Sequence, residues 1–484
     1  MKKVLKWLFI GLGVFILVLI YNTLTFTSQQ ITRAPIPKKE IPDEALERMA
    51  QSIQIPTISH SQRIDSSVFY TFLDFLDSSF VYCDSLMNKW EINKLSRVYH
   101  WPGKNANLSP ILLIAHHDVV PIEAASADQW QEEPFSGVIK DGWIWGRGAL
   151  DDKGSVVSLM EAAEMLLREG YEPERTVYFA FGHDEEVGGA DGALSIAHDF
   201  KEKGITFEYV LDEGSMVVEK ALPGLEQPAG LIGLAEKGST TLLLTASGTA
   251  GHSSMPPSQS TIGALSKALS TLEANPMPAR LEGPIREMFE YTGPEMNLPF
   301  KVLFANLWAT SGLLKKQLGS NGPSNAVLRT TTAITMINGG VKDNVLPARA
   351  NATINFRIKP GDTVEDVIKY VEKTIDNPEI TVSLKDSSSK NPSKVSPTKG
   401  FGFQVIQTTL KEIFPDVVVA PSLVIAATDS RHYKIVSNNI YRFTPVQLTF
   451  DEIAGIHGIN ERISVENYRQ SVRFFYQLMK NSCQ

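Results

Sequence analysis

Three short apolar runs constrain the fold of this chain more than any other feature. They lie at residues 111–115, 176–181 and 207–211, and each has the length of a buried strand bounded by turn residues. Between the first two runs, residues 153–168 place apolar side chains at helical spacing, and Gly170 stands where a helix C-cap is expected. Strands that alternate with helices predict an α/β fold on a mostly parallel sheet.

A second pattern of strands and helices begins near residue 238. The sequence predicts, in order, a strand at 240–246, a helix at 261–274, strands at 325–337 and 348–358, a helix at 364–375 and a strand at 379–384. This β-α-β-β-α-β order is that of the ferredoxin-like split motif. We therefore expect an inserted α+β domain at residues 238–388, between two parts of a larger domain at 43–237 and 389–484. Residues 275–324, rich in proline and glycine, interrupt the motif and have no assigned role.

Composition narrows the functional classes. The 484 residues carry 46 basic and 54 acidic side chains, a net charge of −8, without a long basic run. Nucleic-acid-binding proteins concentrate lysine and arginine on one face or arm, so no nucleic-acid partner is expected. The two cysteines, Cys83 and Cys483, form no CxxC pair. Any metal site must therefore be built from histidines and carboxylates.

The N-terminus has the pattern of a membrane segment. Lys2, Lys3 and Lys6 precede an apolar stretch at residues 7–21, and extending it over 4–26 reaches about the 20 residues that a span needs. No small-x-small cleavage site follows, so we expect an uncleaved anchor over residues 1–26, with a cleaved signal peptide as the alternative. Residues 27–42, with three prolines, are predicted to form an extended tether. The lysines should stay cytoplasmic, which places the rest of the chain outside the cytoplasm, in a periplasmic, lumenal or extracellular space.

Five clusters of histidine and carboxylate side chains carry the chemistry. Three of them directly follow the predicted strands, and ligand sites in open α/β sheets form at such carboxyl ends. Two imidazoles with several carboxylates suit Zn²⁺ and are numerous enough to hold two ions. Singly, such residues are often turn caps or solvated surface pairs, but five separate structural roles would require a coincidence. The clusters are His116 with Asp118, Asp151 with Asp152, Glu185 with Glu186, Asp212 with Glu213, and His457.

The sequence around these clusters resembles a known family. The stretches LLIAHHDVVP, PFSGVIKDGWIWGRGALDDKGS and GHDEEVGG, in this order, are similar to the dizinc metallopeptidase family of carboxypeptidase S, aminoacylase and glutamate carboxypeptidase. Carboxypeptidase S and the secreted N-acyl-amino-acid hydrolases are the most similar members, over residues 45–480. The resemblance implies an α/β catalytic domain with a mostly parallel sheet and an inserted ferredoxin-like domain that serves as lid and dimerisation surface. The N-terminal segment also resembles the membrane anchor of carboxypeptidase S.

The resemblance implies a role for each residue of the clusters. Asp151 would bridge two Zn²⁺ ions, and the Asp151–Asp152 peptide is often cis in the family. Asp118 would orient the imidazole of His116, and Glu185 would act as the general base. Related members differ over which residue of the Asp212–Glu213 pair binds metal, and for this chain Asp212 is the predicted ligand. The expected zinc ligands are thus His116, Asp151, Glu186, Asp212 and His457.

Four further residues are implied to contact the substrate. His252, in GTAGHSSMPP, would reach the reacting carbonyl oxygen, often across a dimer interface, and an exposed loop histidine is the alternative. A free substrate carboxylate needs a cation, for which arginine offers a bidentate fork. Arg357 in NFRIKPGD and Arg431 in ATDSRHY match positions of substrate-facing groups in the family, and Asn344 in KDNVLP adds a hydrogen bond. Surface salt bridges are the alternative role for these side chains.

The main hypothesis is a membrane-anchored, zinc-dependent carboxypeptidase that cleaves short peptides at the amide bond next to a free C-terminal carboxylate. N-acyl-amino-acid hydrolysis is the alternative, because it breaks the same bond beside the same carboxylate. An aminopeptidase or dipeptidase would need an acidic group for the free amine, and the sequence offers none outside the metal cluster. A non-catalytic binding protein would usually have lost a ligand or the base. A homodimer is expected from the resemblance alone.

Overall fold

The computed structural model describes residues 1–60 and 63–484, and for Arg63 it describes the backbone only. Its helices are α1 (Lys2–Thr25), α2 (Asp43–Ile53), α3 (Ser66–Ser79), α4 (Val81–Leu86), α5 (Lys153–Arg168), α6 (Ala193–Glu202), α7 (Thr261–Ala274), α8 (Pro284–Thr292), α9 (Leu298–Ala305), α10 (Leu307–Leu318), α11 (Gly322–Leu328), α12 (Val364–Ile375), α13 (Phe401–Ile413), α14 (Phe450–Ile453) and α15 (Val465–Ser482). Short 3₁₀ turns lie at Ala127–Gln129, Glu185–Val187, Gly293–Glu295 and Asp429–Ile435.

The strands of the described chain are β1 (Ser59–His60), β2 (Arg63–Ile64), β3 (Asn88–Ile92), β4 (Ser96–Trp101), β5 (Ile111–His116), β6 (Ile139–Lys140), β7 (Trp143–Trp145), β8 (Val177–Gly182), β9 (Tyr209–Asp212), β10 (Val217–Val218), β11 (Ala229–Glu236), β12 (Gly238–Ser247), β13 (Gly251–His252), β14 (Thr331–Gly339), β15 (Val345–Leu346), β16 (Arg349–Ile358), β17 (Ile380–Leu384), β18 (Val418–Val424), β19 (Ile440–Arg442), β20 (Gln447–Leu448) and β21 (Arg462–Ser464).

A mixed 10-stranded sheet forms the centre of the larger part of the described chain. Its order is β20-β10-β11-β19-β9-β5-β8-β4-β3, with β18 paired to β11. The middle is parallel, because β5 pairs in parallel with β8 and β9, and β9 with β19. These middle strands are buried, as expected for strands covered on both faces. Helices α5, α13 and α15 pack on one face and α6 on the other, so the predicted α/β class is confirmed.

Four strands form a separate antiparallel sheet in the order β14-β16-β12-β17. Along β12, buried residues alternate with half-buried ones, which is the pattern of a sheet with one face on a core. Helices α7 and α12 cover that face, and their side chains share a hydrophobic cluster with Leu242, Leu244 and Phe356. The element order β12-α7-β14-β16-α12-β17 is that of the ferredoxin-like split motif.

The predicted strand at 325–337 is wrong at its start, because residues 325–328 are helical. They end α11, whose first turn contains a proline, and β14 follows. Helices α8–α11 fill most of the unassigned stretch 275–324. Helices α8 and α9 pack on the larger part of the chain, since Phe289 and Phe304 share a cluster with Val418 of β18.

Helix α1 is exposed over most of its length. It is long and apolar enough to cross a membrane and its most apolar window is 0% buried, although a signal sequence would have the same properties. Residues 26–42 contain no helix or strand, yet they contact the body. The side-chain amide of Gln30 donates to the carbonyl oxygen of Val419 in β18 (2.8 Å) and accepts from its N–H (2.9 Å). Lys38 forms an ion pair with Glu466 (3.0 Å), so the segment between α1 and α2 is held along the body.

The core of the inserted sheet can be tested with two adjacent leucines. Leu244 is fully buried in the cluster, whereas Leu243 is half-buried on the opposite face. We expect Leu244→Ala to lower the free energy of unfolding by about 2–5 kcal/mol, because it removes buried methyl groups and leaves a cavity. Leu243→Ala is the matched control and should lower it much less. Chemical denaturation followed by circular dichroism measures both, and equal losses would contradict the assigned face.

Candidate metal centre

The candidate site lies at the carboxyl ends of the parallel strands. His116 is the last residue of β5, the Glu185–Val187 turn follows β8, and Asp212 is the last residue of β9. Because these strands are parallel neighbours, their ends meet at one edge of the sheet. Asp151 and His457 reach the same edge from loops.

Asp151 lies between the two histidines. Its Oδ1 is 3.0 Å from Nε2 of His116, and its Oδ2 is 3.0 Å from Nε2 of His457. The peptide bond between Asp151 and Asp152 is cis. Burial alone would raise the pKa of Asp151, but hydrogen bonding to both imidazoles outweighs it and holds the pKa well below its usual value. The Asp151 carboxylate is therefore the centre of the cluster.

Two groups of possible metal donors share Asp151. The groups are His116, Asp151 and Glu213, and Asp151, Glu186 and His457. Within each group the donor atoms lie within 4.8 Å of one another. Oε1 of Glu213 is 3.5 Å from Nε2 of His116, and Oε1 of Glu186 is 3.1 Å from Nε2 of His457. Imidazole nitrogens combined with carboxylate oxygens form a donor set for divalent metals, so these residues fit a metal site.

Asp118 supports this arrangement from behind. Its Oδ1 is 3.2 Å from Nδ1 of His116. The backbone N–H groups of Glu185 and Glu186 each donate to one of its carboxylate oxygens, at 3.1 Å, and the hydroxyl of Ser59 donates to Oδ2 (2.6 Å). Asp118 is fully buried, and a buried carboxylate needs such partners. It therefore fixes both the imidazole of His116 and the turn that carries the two glutamates.

Glu213 occupies the place that was expected for Asp212. The side chain of Asp212 turns away from His116 and accepts a hydrogen bond from the backbone N–H of Ser430 (2.7 Å). Adjacent side chains at the end of a strand point to opposite sides, so only one of the pair can face the imidazole. Burial and the nearby Asp151 carboxylate raise the pKa of Glu213 to about 8. The donor group with His116 therefore contains Glu213.

Glu185 lines the same cavity but belongs to neither donor group of the described residues. The cavity has a volume of about 380 Å³ and is bordered by Asp151, Glu213 and His457. Burial raises the pKa of Glu185 well above its usual value. A carboxyl group with a raised pKa and no other duty in the cluster is suited to accept a proton.

Glu461 is not among the predicted site residues, yet it fixes the loop that carries the central aspartate. Its buried carboxylate accepts hydrogen bonds from three backbone N–H groups in loop 148–151, at 3.0–3.3 Å. Arg147 donates to its other oxygen (2.5 Å) and to the carbonyl oxygen of Gly458 (3.0 Å). This buried pair ties loop 148–151 to the loop of His457. The sequence feature that could have identified Glu461 is its position four residues after His457, a predicted metal ligand.

His252 and Asn344 lie together in the inserted domain. Strand β13 pairs with β15, and the backbone N–H of Ser253 donates to the carbonyl oxygen of Asn344 (3.2 Å). Both residues are exposed, and the imidazole of His252 contacts the hydroxyl of Ser254 in its own turn (2.8 Å). Neither residue lines the cavity that contains Glu185.

The two candidate arginines occupy different environments. Arg431 is partly buried, with Nε 3.6 Å from Oε1 of Glu236. It lines a second cavity of about 470 Å³ between the two sheets, together with Arg442 and Lys390. Arg357 is exposed on β16 and does not line that cavity. Of the two arginines, Arg431 is thus in the better position to bind an anion.

Comparisons with known proteins match this architecture. A model of the peptidase family M20/M25/M40 matches residues 112–481. The probable carboxypeptidase S-like 2 of Dictyostelium discoideum is 41% identical over 99% of this chain and 94% of that protein. The N-fatty-acyl-amino acid synthase/hydrolase PM20D1.1 of Danio rerio is 40% identical over 93% of this chain and 87% of that protein. The crystal structure of an M20 family metallo-carboxypeptidase from Sulfolobus solfataricus, 19% identical, gives a TM-score of 0.64 over 91% of this chain and 99% of that chain, which supports the fold.

Metal content tests the placement of Glu213 and Asp212. We expect Glu213→Ala to lose the metal of the group that contains His116 and to keep the other, because one donor of three is removed. Asp212→Asn is the matched control, since an amide oxygen can still accept from Ser430. Bound Zn²⁺ per chain is measured by mass spectrometry of the elements after dialysis. Full retention by Glu213→Ala with loss in Asp212→Asn would contradict this placement.

Proposed function

Because the chain belongs to the peptidase family M20/M25/M40, we propose that it is a zinc-dependent hydrolase that cleaves the amide bond next to a free C-terminal carboxylate, as a carboxypeptidase on short peptides. One observation carries the proposal. Two histidine–carboxylate donor groups share Asp151, and the uncommitted carboxyl group of Glu185 lines the same cavity.

We assign one zinc ion to His116, Asp151 and Glu213, and a second to Asp151, Glu186 and His457. This assignment replaces Asp212 by Glu213 and rests on the distances within the two donor groups. When bound, such a metal pair supplies a lowered pKa for the attacking water and stabilises negative charge on the carbonyl oxygen.

The remaining chemistry belongs to side chains of the protein. Glu185 accepts the proton of the attacking water and delivers it to the leaving amine, for which its raised pKa is suited. Asp118 keeps His116 and the turn of Glu185 in place. Arg431 is assigned to the free carboxylate of the substrate, because its Nε donates to the carbonyl oxygen of Thr428 (2.7 Å), a residue that lines the catalytic cavity. Asn344 and Arg357 are proposed to reach substrate only when the inserted domain closes over the site.

Hydrolysis of N-acyl amino acids is the second candidate function, and one observation favours it. The catalytic cavity is lined by large apolar side chains as well as by the polar cluster, which suits an acyl chain at least as well as a peptide. The relative from Danio rerio is named for N-fatty-acyl amino acids. The apolar residues of the wall are Met216, Val424, Val446, Leu448, Ile453 and Ile456.

We also propose that the chain forms a homodimer through the inserted domain. Strand β14 is the edge of its sheet, and Met336 and Ile337 on this strand are more than half exposed. An apolar strand edge is a surface that a second copy can cover. His252 does not line the catalytic cavity of its own chain. In such a dimer, His252 of one copy would reach the catalytic cavity of the other copy.

Helix α1 is proposed to anchor the protein in a membrane with the catalytic part outside the cytoplasm. Its length and apolarity support a span, and the three lysines at its start support a cytoplasmic N-terminus.

Removing the general base tests the proposed reaction. We expect Glu185→Gln to keep its zinc but to lose about 100- to 10,000-fold of the turnover, because an amide cannot accept the proton. The assay follows release of free amino acid by the zinc-loaded full chain from blocked dipeptides and from N-fatty-acyl amino acids. The preferred panel distinguishes the two candidate functions. Turnover by Glu185→Gln at the parent rate would refute the assignment of the base, and no release from either panel by the parent would refute the proposed function.

Mixing two impaired variants tests the role of His252. We expect His252→Ala to lower turnover without loss of metal, because the histidine is not in either donor group. If His252 acts on the site of the second copy, mixed dimers of His252→Ala and Glu185→Gln contain one complete site, and activity returns on mixing. Light scattering gives the oligomeric state. A dimer whose activity does not return would show that His252 acts within its own chain or only structurally.

A further inference from the structure

Helices α9 and α10 expose large apolar side chains on the surface next to α1. Leu298, Trp308 and Leu313 are 68%, 60% and 60% exposed. The other face of the two helices is covered, since Phe304 and Leu314 belong to a cluster with β18. The exposed side chains are thus held on a surface that is fixed to the body.

This surface is continuous with α1. The ring of Phe15 packs edge-on against the ring of Trp308, with centroids 5.7 Å apart. Near the end of α1, the side-chain amide of Asn22 donates to Oδ1 of Asn306 (3.0 Å). Phe26 joins the cluster beneath α9. Contacts at three points along α1 therefore hold it against α9 and α10.

The contact between Phe15 and Trp308 fixes the depth of α10 relative to α1. Helix α1 has 24 residues, and at 1.5 Å per residue it is about 36 Å long, close to the ~30 Å of a bilayer core. Phe15 lies ten residues before Thr25, which is about 15 Å along the helix axis. A side chain that packs on Phe15 cannot stay outside a bilayer that α1 crosses.

The polar side chains at the junction of α9 and α10 are satisfied within the protein, as a lipid environment requires. The amide nitrogen of Asn306 donates to the carbonyl oxygens of Leu19 (3.2 Å) and Val302 (2.9 Å). The indole N–H of Trp308 donates to Oδ1 of Asn306 (3.3 Å). The hydroxyl of Thr310 donates to the carbonyl oxygen of Leu303 (2.7 Å). None of these hydrogen bonds needs water.

The charges on the two helices also suit a bilayer. Residues 298–318 contain Lys301, Lys315 and Lys316 and no aspartate or glutamate. Lysine can extend its ammonium group to the headgroups while its methylene chain stays in the apolar layer. Apolar helices with lysines and no acidic residues therefore suit a segment embedded beside a membrane span.

We propose that α9 and α10 insert into the lipid bilayer beside α1 and seat the catalytic body on the membrane. The inference rests on the proposed anchoring role of α1 and adds a second membrane-inserted element. The contacts of residues 26–42 with the body keep this element and α1 in one orientation.

Single-cysteine labelling of the full chain tests the proposal. The native Cys83 and Cys483 are buried and unpaired, so a thiol-reactive fluorophore reports on an introduced cysteine. Leu313→Cys lies on the proposed surface. Leu86→Cys is the matched control, because Leu86 is 57% exposed at the end of α4. Ile10→Cys in α1 is the reference for the anchor. The labelled proteins are reconstituted in phosphatidylcholine–phosphatidylglycerol vesicles. Fluorescence is quenched either from within the bilayer, by brominated acyl chains, or from the aqueous phase, by iodide.

The proposal predicts that the label at residue 313 behaves like the label at residue 10. Brominated lipid quenches the fluorescence of both labels, and iodide quenches them several-fold less than it quenches the label at residue 86. If brominated lipid quenches the label at residue 10 but the label at residue 313 behaves like the label at residue 86, then α1 enters the membrane alone and the proposal is wrong. A label at 313 that resists both quenchers would mean that a second copy covers this surface, which also overturns it. If brominated lipid does not quench the label at residue 10, α1 is not in the membrane, and both the proposed anchor and this inference are refuted. Amino-acid release by the same vesicles reports on the hydrolase independently.

Discussion

The site depends on a charge constraint: many carboxylates share one buried edge of the sheet with only two imidazoles. Asp151 meets this constraint by facing both histidines at once, and Asp118 meets it by accepting two backbone N–H groups and a hydroxyl. Glu213 and Glu185 remain without a full set of partners, and burial raises the pKa of each. An excess of buried negative charge of this kind is what a divalent cation neutralises.

The sequence predicted the parts of the fold whose patterns are local. Helix Thr261–Ala274 and helix Val364–Ile375 were predicted with the bounds that they have, because amphipathic spacing and polar caps define both. The carboxyl ends of β5, β8 and β9 were predictable as well, because each of these short apolar runs is followed closely by histidine or carboxylate residues. Parallel pairing then brings His116, the glutamate turn and the β9 end together with no further information.

The parts that escaped prediction depend on contacts distant in sequence. Asp212 and Glu213 are adjacent carboxylates whose side chains face opposite sides of the sheet. Which of them faces His116 depends on the register in which β9 pairs with β19. Glu461 acts through hydrogen bonds to a loop 310 to 313 residues away. His117 carries the same side chain as its neighbour but stacks on Phe72, with ring centroids 5.1 Å apart. Helices α8–α11 were unassignable because the surface that orders them belongs to β18 and α1.

The pairing of Gln30 with Val419 has a consequence for any form of the protein that is cut between α1 and α2. Strand β18 pairs with β11 on one side only within the described sheet, and the Gln30 amide supplies to its open side the donor and acceptor that a neighbouring strand would supply. An unpaired strand edge is a template for aggregation. A cut that removes Gln30 together with α1 would bare that edge, whereas a cut just before it would leave the edge protected. The tendency of such a shortened form to aggregate is therefore decided by a few residues of the segment between α1 and α2.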